Sequence, residues 1–80
     1  VNIGETVPEM FKCDMKLEED AIPRLNTAIE LCRVQVDNGT KVLLEQILVA
    51  EEEHLDWLET QLGLIERLGE KAYLAEQLFA

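Results

Sequence analysis

A chain of 80 residues, 48% apolar, with only two prolines and four glycines, reads as one small helical domain and excludes a disordered segment. Seventeen acids against seven bases give a formal charge of −10, a surface that suits cations and excludes nucleic acid and anionic membranes as partners. The apolar runs fall short of the ~18 residues of a membrane span, and no basic stretch leading into an apolar core opens the chain, which predicts no secretory signal.

The chain starts at Val1 instead of methionine, which predicts either processing or a piece of something longer. "ETVPEM" then reads as a helix start. Thr6 and Glu9 match a capping box, and Pro8 falls in the first turn, where a missing N–H costs nothing. Apolar positions follow at helical spacing: Val7, Phe11, Ala21, Leu25, Ala28 and Cys32, widened by Met10, Leu17, Ile22, Ile29 and Val36. The first helix is therefore predicted over about 7–36. Two acids, Asp14 and Glu18, fill gaps in this apolar seam. Pro23 predicts a kink but not a break, because the stripe keeps its phase from Leu17 through Leu25 to Ile29.

"VDNGT" at 36–40 is the predicted turn, with Asp37 as N-cap of a second helix over about 38–68. Its stripe runs through Leu44, Ile47, Leu48, Leu55, Leu58, Leu62 and Ile65, and the positions skipped are Glu51 and His54. Gly69 ends this helix, and "EKAYLAEQLF" predicts a short third helix over about 70–78.

The fold class is thus all-α: an antiparallel helical hairpin forming half of a four-helix bundle, plus a short C-terminal helix. Two helices of ~28 residues, near 42 Å long, cannot cover their own apolar stripes. A stable core needs a second hairpin, either another copy or a part of the protein outside this sequence. Cys13 and Cys32 fit the same picture. On one helix they stand roughly 28 Å apart, far beyond disulfide reach, and neither has metal-type spacing. Each reads as a small apolar residue, and the pair predicts a reducing, cytoplasmic setting.

Glu51 and His54, at i and i+3, share one face of the second helix. Glu18 lies on the seam of the first. An unpaired carboxylate in such a seam costs several kcal/mol, so it needs a cation. The seven bases (Lys12, Lys16, Arg24, Arg33, Lys41, Arg67 and Lys71) lie off the seam or far along it. Counting from the turn at 1.5 Å per residue puts Glu18, Glu51 and His54 within roughly 3–8 Å of one level. Ferritin-like carboxylate proteins hold two iron or manganese ions with a Glu from each of two helices and a Glu-x-x-His from each of two others. This chain has half of that set and half of the helices. The bland alternative is a solvated acidic face in which Glu-x-x-His arises by chance, on a hairpin that only oligomerises.

The stretches "VNIGETVPEM…DMKLE" and "LEQILVAEEEHLDWLETQLGLIERLGEKAYL" resemble the C-terminal half of the bacterioferritin family, with "EEEHLDWLETQL" the most specific run. The resemblance implies a four-helix bundle, a shell of twenty-four subunits, and a di-iron ferroxidase centre that oxidises Fe(II) to Fe(III) for storage as mineral. It implies Glu18 and Glu51 as bridging carboxylates and His54 as a terminal ligand to one iron. It places the tail after Gly69 near the fourfold pore. Haem b enters only through the family, because its methionine ligand lies on helices absent from this sequence, and Met10 and Met15 do not occupy that position. Ala50 departs from the family, where an aspartate is frequent before the ligand glutamate; Asp14 is the candidate substitute. Trp57 is expected to pack at the seam's edge, with a redox role as the alternative, and Tyr73 to pack in the short helix. Two further readings are a symmetric di-iron site made by two copies of this hairpin and a rubrerythrin-like peroxidase. The latter is disfavoured because no C-x-x-C iron site follows.

Overall fold

The computed structural model describes residues 6–79, and the side chains of 6–78; residues 1–5, which open the first resembling stretch, lie outside them. Three helices follow in order: α1 (Val7–Val34), α2 (Asn38–Leu68) and α3 (Glu70–Phe79). The first two form an antiparallel hairpin, and the molecule is 51 Å along its longest axis.

Local chemistry sets most of the ends. Thr6 Oγ1 accepts from the Glu9 N–H and Glu9 Oε2 accepts from the Thr6 N–H, each at 3.3 Å, so two otherwise orphaned donors are satisfied reciprocally. Asp37 caps α2 by accepting from the Thr40 N–H at 3.2 Å. Gly69, at φ 84°, ends α2 by donating its N–H to the Ile65 carbonyl at 2.7 Å, and its own carbonyl accepts from the Tyr73 N–H of α3. A single residue therefore joins the last turn of α2 to the first turn of α3.

The end of α1 differs from expectation. The helix stops at Val34, and the chain reverses over Gln35–Asp37. The Asp37 N–H donates to the Cys32 carbonyl and the Val36 N–H to the Arg33 carbonyl, the paired bonds of a Schellman ending. That ending needs a left-handed residue, and Val36 supplies it at φ 56°. A β-branched side chain there costs about 1–2 kcal/mol. The nearby Gly39 lies inside the first turn of α2.

Pro23 leaves α1 unbroken. It withholds one N–H from the Glu19 carbonyl. Pro23 and Glu19 are both exposed, so water takes that hydrogen bond and the helix continues.

Burial is concentrated at one end. Among the described residues, Leu58 is fully buried, and Ile65 and Tyr73 nearly so. The Tyr73 hydroxyl donates to Gln61 Oε1 at 2.6 Å, which fixes α3 against α2. Elsewhere the apolar stripes lie open. Leu17 is 67% exposed, Val34 58% and Leu43 56%. A lone hairpin can cover only the strip between its two helices, so the remaining apolar faces have no protein against them.

Candidate metal centre

Glu18 of α1 reaches towards α2. Its Oε1 lies 3.9 Å from Nε2 of His54, across the hairpin. Its side chain is only 16% exposed, and its second oxygen, Oε2, is buried without any hydrogen-bond partner. Among the described residues, no lysine or arginine pairs with it. Glu18 is therefore a half-buried carboxylate with one oxygen unsatisfied and an imidazole as its nearest basic group. Such an arrangement is costly unless something positive completes it.

His54 itself is less enclosed than the apolar pattern suggests, with 48% of its side chain exposed. The face that carries it is the open one of the hairpin. Glu51, one turn earlier on α2, is half-buried but does not join Glu18 and His54 in a metal-holding group: among the described residues, no three His, Cys, Asp or Glu side chains come close enough to hold an ion together. The structure thus brings Glu18 and His54 together across the hairpin, short of a three-residue group. Asp14, expected on the seam, is exposed, as is Ala50.

One feature of the site is an aromatic row. The imidazole of His54 lies parallel to the indole of Trp57, with centroids 6.1 Å apart and planes within 7°. Phe11 of α1 meets Trp57 edge-on at 5.5 Å and 78°, and Tyr73 of α3 meets Phe11 at 6.4 Å and 89°. These separations are those of favourable stacked and edge-to-face pairs. Trp57 is 48% exposed, so it packs at the edge of the seam as expected. The i to i+3 spacing of His54 and Trp57 announces that their rings share a face. Nothing local announces that Phe11 would reach the same rings from the other helix.

Comparison with known proteins places the fold in one family. The family model of the ferritin-like domain matches residues 1–68. The bacterioferritin BfrA of Mycobacterium tuberculosis is 46% identical over 76 residues, covering 95% of this chain and 48% of that protein. The bacterioferritin of Streptomyces coelicolor is 48% identical over 75 residues, covering 94% and 45%. The solved structure of the M. tuberculosis bacterioferritin superposes with a TM-score of 0.88 over 95% of this chain and 48% of its own length. The chain spans about half the length of the curated relatives it matches.

Proposed function

This chain belongs to the ferritin-like family, and from that membership we propose that it stores and detoxifies iron by oxidising Fe(II) to Fe(III) at a di-iron carboxylate centre. Glu18, Glu51 and His54 are its contribution to that centre. The remaining ligands come from the other half of the bundle, which in a full-length relative occupies the rest of the chain. In this reading many such bundles form a closed shell of twenty-four subunits in the cytoplasm, with the mineral inside.

The observation that carries this reading is the carboxylate of Glu18, with Oε1 facing His54 and Oε2 buried without a partner. Carboxylate and imidazole are a donor set that suits iron. Bound there, the iron pair would supply the electrons that reduce dioxygen. The protein's own residues do simpler work. Glu18 offers a negative charge where the surroundings cannot stabilise it, so a divalent cation is favoured over an empty site. His54 adds a neutral donor, which limits the charge gathered there. Glu51, one turn before His54 on α2, closes the set once the opposite half of the bundle packs against the open face. The exposed acids on α2 draw Fe(II) towards the protein. Haem b has no ligand among these residues, and no step passes through it.

The test is iron-edge anomalous diffraction from crystals of the assembled protein after anaerobic Fe(II) addition. Two peaks bracketed by Glu18 and Glu51 support the reading. Absence of both peaks, with Glu18 paired to a lysine or arginine of the opposite half, removes it.

A further inference from the structure

A histidine that ligates a metal must hold its ring so that the lone pair of one nitrogen points at the ion. Proteins commonly do this with a hydrogen bond from the other ring nitrogen to a carboxylate or carbonyl. Among the described residues, His54 makes no such bond: the carboxylate of Glu18 approaches to 3.9 Å, too long for a hydrogen bond. The indole of Trp57 lies parallel to its ring, within 7°.

Trp57 is half exposed and would swing freely on its own. Phe11 of α1 meets the indole in a T-shaped pair and so narrows the space it can swing through. Phe11 is itself braced by Tyr73, which is only 3% exposed and tied to Gln61 by a 2.6 Å hydrogen bond. The row runs from a rigid, buried ring to an exposed ligand, and each ring limits the rotation of the next.

We propose that Phe11 is a positioning residue for the metal centre: acting through Trp57, it fixes the plane of His54. The proposal rests on the iron-centre reading above, since it presumes that His54 is a ligand. Phe11 touches no ligand atom, and it gives the aromatic row a part in metal affinity beyond packing. It also ties the docking of α3, through Tyr73, to the geometry of the centre.

The probe is Zn(II) alone, which is redox-silent, titrated into the assembled protein against a chromophoric chelator. Phe11→Leu keeps an apolar side chain but removes the ring edge. It is expected to weaken the tightest zinc site about tenfold, the lower end of what loss of an orienting partner costs. Phe11→Tyr restores the edge and should return affinity to within about twofold of the parent. Trp57→Phe against Trp57→Leu repeats the comparison one ring closer, and serves if Phe11→Leu fails to assemble. Affinity in Phe11→Leu equal to the parent, or loss that Phe11→Tyr does not rescue, overturns the proposal. His54→Ala separates the two claims. If it leaves zinc affinity unchanged, the metal-centre reading fails; if it abolishes the site while Phe11→Leu and Trp57→Leu do not weaken it, only the positioning role fails.

Discussion

Glu18 and His54 face one another across the hairpin at 3.9 Å, and the carboxylate keeps one oxygen buried without a partner. This pair makes the protein's stability depend on metal in a signed way. In chelator, Glu18→Gln removes an unsatisfied charge and should stabilise the assembled protein by about 1–2 kcal/mol. With Zn(II) at about 100 times its Kd, the parent gains ~2.7 kcal/mol by linkage and the variant gains little. The order of the two melting temperatures should therefore reverse between chelator and zinc. Thermal denaturation of both proteins under both conditions checks this.

Val36 holds a left-handed backbone that glycine adopts without strain. Val36→Gly should raise stability by about 1 kcal/mol, the relief of side-chain strain less the extra freedom of glycine in the unfolded chain. Chemical denaturation of the assembled protein should show a higher midpoint with an unchanged slope. A lower midpoint would mean that the exposed valine is covered by a neighbour once assembled.

Arg33 donates two hydrogen bonds from Nε and one from Nη2 to the Glu30 carboxylate, with contacts of 2.6–3.1 Å. These bonds hold the carboxyl of Glu30 below its ordinary range, with the charge of Arg33 adding to the effect, and raise the guanidinium in turn. A carboxylate whose folded pKa is depressed contributes stability above its unfolded pKa and loses it as pH falls through the folded value. Arg33→Gln should return Glu30 to ordinary titration, seen by NMR of its side-chain carbon. Any stability difference from the parent should be small, should vanish in acid, and should shrink with added salt, because both side chains face water.

Tyr73→Phe removes the hydroxyl that donates to Gln61 and keeps the ring. It should cost about 1 kcal/mol, felt mainly by α3. Amides of α3 are expected to exchange with solvent roughly fivefold faster, while those in the middle of α2 change little. Hydrogen-exchange mass spectrometry distinguishes the two helices. Uniform acceleration would show that α3 does not open separately.

The elements were legible because each carries a local signal: a four-three apolar stripe, the Thr6–Glu9 box, Asp37 as a cap, and Gly69 as a stop. The reversal at Val36 was not, since apolar periodicity reports which way a side chain faces and is silent about backbone handedness. The turn chemistry of "NG" also pointed past the place where the chain turns. The approach of Glu18 to His54 could be counted from the turn, because helical rise fixes height. Height leaves the angle around the helix axis open, and so leaves open how exposed His54 would be. The aromatic row depends on how two helices and a third element lean together, which no single stretch encodes.

The side chains most sheltered from water are Leu58 and Ile65, in the half of the hairpin remote from its turn, and Tyr73, in the helix that follows that end. Zipping the helices together from the turn is entropically the easiest route, yet it gains little until it reaches Leu58. The reward comes only after most of the chain has been ordered. These residues should therefore linger as loosely formed helices and commit to their final shape when the open apolar faces are covered, so that covering them and finishing folding become one kinetic event.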